Sequence, residues 1–314
     1  MLNRGRSRYR GERMAKTGRG IKILIILIII VAALLFAAAW YFSSVLMYPG
    51  PFQCKKVHFV YCGDPGEQKI PFENITFKTT DNLTIRGWYM PAKNSTKAVI
   101  FAHGRGANRN EGMRFARSLH NAGFNLLTFD FRNCGESDRS FNSLGYHEKK
   151  DIYAAIDFLI NVKKITAVGI MGWSQGAATG IVAMAEDKRI KAGIFEGGFA
   201  NTVDVIAETA RRDYGLPRYP LVPLVIWLSE IRGDMNASEI NAEEKIGSIA
   251  PRPVYIIHGD ADQAVYYSHA EQLYKAAGEP KQLWTVKGGP HVECWQMNRE
   301  KAESSVVSFF KRYL

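Results

Sequence analysis

From Ile23 to Phe42 the chain reads ILIILIIIVAALLFAAAWYF, an apolar run with no charged residue and no polar face. About 20 such residues are what a helix needs to cross the hydrocarbon of a bilayer, so the pattern predicts a transmembrane helix over 23–42. Further along, NITFKT and LTIRGWYM alternate apolar and polar positions and predict two half-buried strands paired antiparallel through a turn at Asp81-Asn82. The period then changes. Short apolar runs (KAVIFAH, FNLLTFD, ITAVGIMG, IKAGIFEG, RPVYIIHGD, PKQLWTVKGG) alternate with segments of helical spacing (NEGMRFARSLHNAG, HEKKDIYAAIDFLINV, QGAATGIVAMAED, AVYYSHAEQLYKAAG) and end in a helix that runs to Leu314. Fully apolar strands separated by amphipathic helices predict a mostly parallel sheet with helices on both faces. The alternating pair brings the strands to eight. Between about Asn201 and Ile249 the rhythm breaks at LPRYPLVPLVIWLSEI, whose three prolines suit a small helical cap inserted over the sheet.

These segments divide the 314 residues into a basic leader (1–22), a membrane helix (23–42), a linker (43–71) and one large domain (72–314). Charge sharpens this division. Arg4, Arg6, Arg8, Arg10, Arg13, Lys16, Arg19 and Lys22 against Glu12 give the leader +7 of the formal +11, which removes the basis for a nucleic-acid partner. Basic flanks stay cytoplasmic, which sends the large domain to the opposite side of the membrane. Ala37-Ala38-Ala39 suits a signal peptidase, but the long leader and full-length apolar run favour an uncleaved signal-anchor. The four cysteines fit an exported domain. Cys54 and Cys62 flank a short loop that a disulfide could close, while Cys134 and Cys294 lie far apart. Asn74, Asn82, Asn94 and Asn236 each open an N-x-[ST] sequon.

The candidate chemistry centres on GIMGWSQGAATG, where Ser174 lies between Gly172 and Gly176 in a G-x-S-x-G pattern. The pattern alone is weak; its setting strengthens it. ITAVGIMG before it reads as a strand and QGAATGIVAMA after it as a helix, the arrangement in which a nucleophile elbow lifts a serine oxygen above a sheet. Asp262, in HGDADQAV, and His291, in GGPHVECW, each follow a further strand end. The order Ser174, Asp262, His291, all at carboxyl ends of strands, suits a nucleophile, an orienting acid and a general base. Asp260 is a rival acid and Ser137 a weak rival nucleophile, and His103 and His258 read as turn-supporting. A metal at His291, Glu293 and Cys294 fails for want of a second cluster, and no motif asks for a cofactor.

FAHGRGAN, FDFRNCGESD, GWSQGA and IHGDADQAV with GGPH occur in this order, and through them the sequence from about Phe72 to Leu314 resembles the α/β-hydrolase superfamily, in its membrane-anchored, serine aminopeptidase-like or prolyl-oligopeptidase-like branch. Asn133-Cys134 departs from the family pattern in a loop away from the candidate triad. The H-G-x-x-D spacing of the resemblance selects Asp262 over Asp260. It implies a Ser174, His291, Asp262 triad, with oxyanion donors from the backbone N–H groups of Gln175 and Arg105 and close loop approach at Gly104 and Gly106.

The leading expectation is a membrane-anchored serine hydrolase of a carboxylic ester or thioester, acting on a small or lipid-like acyl substrate lined by Trp173, Leu224 and Trp227. A peptidase of the same fold needs an acid to hold a substrate amine, for which Glu196 and Glu208 are candidates. A non-catalytic, membrane-tethered binding protein is the third reading, and the complete triad argues against it.

Overall fold

The computed structural model describes residues 3–51 and 54–314; Met1, Leu2, the leader side chains before Arg19, and Phe52 and Gln53 of the expected linker lie outside the described residues. Eight strands form one sheet: β1 (Glu73–Lys78), β2 (Thr84–Met90), β3 (Lys97–Ala102), β4 (Asn125–Phe129), β5 (Ala167–Trp173), β6 (Ile190–Glu196), β7 (Val254–Gly259) and β8 (Lys281–Val286). Their order is β1-β2-β4-β3-β5-β6-β7-β8. Only β2 runs against its neighbours. The parallel strands β3 to β8 therefore end along one edge, where Ser174, Asp262 and His291 follow β5, β7 and β8.

The alternation of side chains along each strand sets the two layers of the core. Ile100 and Ile170 face one way, onto Ile152 and Ala155 of α3 (Glu148–Asp157), Ile181 of α4 (Gln175–Glu186) and Leu273 of α7 (Ser268–Ala276). Phe101 and Met171 face the other way, onto Phe115 and Leu119 of α2 (Met113–Asn121) and Phe310 of α8 (Arg299–Tyr313). Between β6 and β7 the expected cap forms from α5 (Thr202–Tyr214), α6 (Leu221–Gly233) and short turns. Asn201 caps α5 by accepting from the Val203 and Asp204 amides, and Gly215 ends it in the left-handed conformation.

The N-terminal helix differs from expectation at its far end. α1 runs from Asn3 to Met47, so Ser43 to Met47, expected as linker, are its last turn. By length and composition Arg19–Met47 is long and apolar enough to cross a membrane. From Arg19 its surface is open as far as Ala37, apart from a partly covered Leu35, after which Ala39, Ser43 and Met47, four residues apart, are buried. Ala39 packs against Leu221, Val225 and Leu228 of α6. Arg232 of α6 donates to the Trp40 carbonyl and to the Ser43 and Ser44 hydroxyls. The last carbonyls of a helix have no partner within it. Here Arg105 Nη2 donates to Val45 O at 2.9 Å and Leu46 O at 2.8 Å, and the Asn142 amide donates to Met47 O at 2.7 Å. These tertiary partners extend the helix beyond the apolar run. Just past it, Cys54 and Cys62 form a disulfide, while Cys134 and Cys294 are buried free thiols.

Candidate active site

Ser174 sits between β5 and α4 with φ 52° and ψ −120°, a strained conformation for a residue with a side chain. Its amide donates to Glu196 O at 2.9 Å, and its carbonyl accepts from Ala177 and Ala178, which fixes the turn. The flanking glycines make the turn possible: a Cβ at Gly172 would strike the Gly176 carbonyl, and one at Gly176 would strike the Ala102 and His103 carbonyls. Gly104 faces Ser174 across the loop, and Gly106 holds a positive φ of 72°.

The structure brings the three expected side chains into one hydrogen-bonded chain. Ser174 Oγ lies 2.9 Å from His291 Nε2, and His291 Nδ1 lies 2.6 Å from Asp262 Oδ2. A carboxylate only accepts, so Nδ1 carries the proton and Nε2 is free to accept from the serine. Asp262 Oδ1 accepts from the Ala264 and Val265 amides at 2.8 and 2.9 Å. Burial works against its charge, but hydrogen bonds from His258, His291 and the Val265 amide outweigh it and hold the carboxyl well below the usual range. The rival Asp260 instead accepts from the Gly288 amide. Ser137 is buried, donating to Asp130 O and accepting from the Arg86 amide. His103 is bound on both sides, to Gly104 O and the Phe131 amide.

The groove above Ser174 has a volume of about 260 Å³, with Arg105 and Gln175 on its wall beside Ser174 and His291, and with apolar cover from Leu46, Phe199, Val205, Ile206 and Val265. Gln175 opens α4, so its amide has no acceptor within the helix, and the helix N-terminus favours negative charge there. The proposed substrate contacts are corrected. Trp173 is fully buried and donates to Glu196 Oε2 at 2.9 Å, because alternation along β5 turns it away from the Ser174 side. Leu224 packs in the contact between α6 and α1, and Trp227 is half-exposed on the outer face of α6. Neither lines the groove. Leu46, from the end of α1, takes a place there that the sequence did not suggest.

Beneath the groove lies a buried ionic network that the sequence also did not reveal. Glu196 accepts from Trp173 Nε1 and from the Cys294 amide at 2.9 Å, and lies 3.9 Å from Arg114 Nη2. Arg114 donates to Val292 O, beside His291, and to His58 O. Glu111 accepts from the Gly104 amide at 2.5 Å and lies 3.5 Å from His58 Nε2. The elbow, the His291 loop and the Gly104 loop are thus tied to buried charges. Glu196→Ala should lose about 3–5 kcal/mol of stability by leaving Arg114 buried without its carboxylate, and Glu196→Gln clearly less. Urea midpoints measure both, and equal losses would show that the charge is not what matters.

Comparison with known proteins agrees with this architecture. A family model described as the alpha/beta hydrolase fold matches residues 97–222. An esterase of Pyrococcus furiosus, Pf2001, superposes with a TM-score of 0.68 at 26% identity over 84% of this chain and 97% of that one. Est1E of Butyrivibrio proteoclasticus, solved with bound ferulic acid, superposes with a TM-score of 0.60 at 22% identity over 76% of this chain and 99% of that one. Among sequence relatives, YqkD of Bacillus subtilis is 27% identical over 72% of this chain and 74% of its own. The chain has the α/β-hydrolase fold, an eight-stranded, mostly parallel sheet covered on both faces, and esterases are among its structural neighbours.

Proposed function

We propose that this protein is a serine hydrolase of carboxylic esters or thioesters, held to a membrane by α1. The observation that carries the reading is the unbroken Ser174–His291–Asp262 hydrogen-bonded chain, with its nucleophile on a strained turn at a helix N-terminus. Ser174 Oγ attacks the acyl carbon while His291 Nε2 takes its proton, and Asp262 steadies the imidazolium. The amides of Gln175 and Arg105 receive the oxyanion. His291 returns the proton to the leaving alcohol or thiol, and water then releases the acid by the same steps.

The peptidase reading is less well supported. Glu196 is occupied by Trp173, Cys294 and Arg114, and Glu208 lies 3.0 Å from His269 Nε2. The acid that does line the groove, Asp213, accepts from Nε and Nη2 of Arg212 through its two carboxylate oxygens. No free carboxylate among these waits for a substrate amine. A panel of p-nitrophenyl esters and aminoacyl amides tests the choice: turnover of the esters alone is expected, and faster turnover of the amides would reverse it.

In this reading α1 is an uncleaved anchor with its leader cytoplasmic and the catalytic domain outside. Three features support it: the charge bias, a helix that continues unbroken through Ala37–Ala39 to its docked end, and the Cys54–Cys62 disulfide, which suits an oxidising compartment. Protease added to intact cells or spheroplasts is expected to digest the catalytic domain and spare the leader. Protection until the membrane is broken would invert the topology.

A further inference from the structure

A second groove adjoins the one above Ser174, and its walls come from the membrane helix and the cap together. Phe42, Val45 and Leu46 of α1 face Tyr214, Leu221 and Val225 around about 140 Å³. Leu46, Arg105, Ile206, Thr209 and Asp213 line both grooves, so the two share a wall. A chain attached to a carbonyl at Ser174 would pass Leu46 and Ile206 on its way toward α1.

The outer face of α6 is apolar as well. Pro223, Trp227 and Ile231 recur every fourth residue, with Tyr219 one step before them, and all four are exposed. Residues four apart share one face of a helix, and an exposed apolar face of this kind marks a contact surface. Trp40 and Tyr41 of α1 are exposed beside it, and Arg232 of α6 holds its guanidinium 4.3 Å over the Trp40 ring. Tryptophan and tyrosine favour the boundary between lipid and water. Length settles which surface α6 meets. The apolar run ends at Phe42, yet α6 already packs on α1 at Ala38 and Ala39. A span of about 20 residues cannot be completed before that contact, so seating α1 in a bilayer brings α6 down to the lipid surface.

We propose that the second groove is the acyl-chain site of the Ser174 centre, and that its substrate is a long-chain carboxylic ester lipid drawn from the membrane that holds α1. This rests on the serine hydrolase reading above. The lipid's acyl carbon bonds to Ser174 Oγ, the ester C–O bond breaks, and the released alcohol takes its proton from His291. Water then cleaves the acyl-serine and the fatty acid leaves.

The full chain in phosphatidylcholine vesicles tests this. A long-chain alkyl fluorophosphonate with a diazirine at its tip is expected to label Ser174 and, on irradiation, to crosslink to α1 near Phe42 to Leu46 or to α6. Labelling of Ser174 with crosslinks only to other elements overturns the proposal while leaving the hydrolase reading intact. Failure to label Ser174, by this probe and by a short fluorophosphonate alike, removes the hydrolase reading itself. Two variants fill the groove from opposite walls, Val45→Trp and Val225→Trp. Each should lower kcat/KM for methylumbelliferyl oleate relative to methylumbelliferyl acetate by about tenfold or more, as when two methylenes lose their burial. An unchanged ratio in a folded variant counts against the proposal. Trp227→Ser with Ile231→Ser should slow turnover of oleate in vesicles by about fivefold relative to oleate in detergent micelles. Equal rates would detach α6 from the lipid surface.

Discussion

Ser174→Ala is expected to abolish fluorophosphonate labelling and to lower kcat by about 10⁵-fold or more, with the protein still folded. The turn itself should survive, because it is held by backbone contacts: the Ser174 amide to Glu196 O, and its carbonyl to Ala177 and Ala178. Alanine keeps the Cβ at the same positive φ, and the hydroxyl's recorded contact is with His291. The melting temperature should therefore move by no more than about 3 °C. Labelling that persists in this variant would assign the nucleophile to another serine. Ser137 is a poor substitute, since its hydroxyl is buried and bonded on both sides.

Asp262→Asn should lower kcat by about 10⁴-fold, a rise in barrier of about 5 kcal/mol, with little change in KM. Without a carboxylate to accept from Nδ1–H, the imidazole loses the preference that leaves Nε2 bare toward the serine. The same substitution has a signature in stability. In the folded protein, burial opposes the Asp262 charge, but His258, His291 and the Val265 amide prevail and hold its carboxyl below the unfolded value. A depressed carboxyl contributes stability that is present above about pH 4 and lost as pH falls toward the folded value. The wild-type advantage over the variant in urea midpoint should accordingly be largest near neutrality and shrink in acid. A gap that stays constant from about pH 7 to about pH 3 would mean that the charge is not the source of the stabilisation.

How much of this could be read from the sequence follows from what is local and what is not. Strand and helix periods are local, and they place Ser174, Asp262 and His291 just beyond the carboxyl ends of β5, β7 and β8. The choice between Asp260 and Asp262, made on motif spacing, corresponds to two different bonds: one carboxylate holds the Gly288 amide and the other His291. At Trp173 a local rule outweighs nearness in sequence. It neighbours Ser174 in sequence, but as the last residue of β5 it follows the strand's alternation into the core. Leu224 and Trp227 show where no local rule exists, because LVPLVIWL is apolar all round and carries no phase to say which face meets what. Its partner is the end of α1, some 180 residues earlier in the chain. Glu111, Arg114 and Glu196 left only a faint sign: charged residues in otherwise apolar stretches such as IFEGGFA. Their mutual pairing depends on the folded sheet.

The docked end of α1 bears on how a water-soluble version of this protein should be made. Membrane anchors are commonly removed at the first residue of the recognisable domain, here Phe72. That cut would discard the Val45 and Leu46 carbonyls that hold the Arg105 side chain, the disulfide-closed loop that carries His58, and one wall of the groove at Ser174. Arg105 also supplies one of the amides assigned to the oxyanion, so the loss reaches the reaction centre as well as its cover. The last turns of α1 belong to the folded domain, and a truncated chain that keeps Ala38 to Met47 is the shortest whose kinetics would describe the whole.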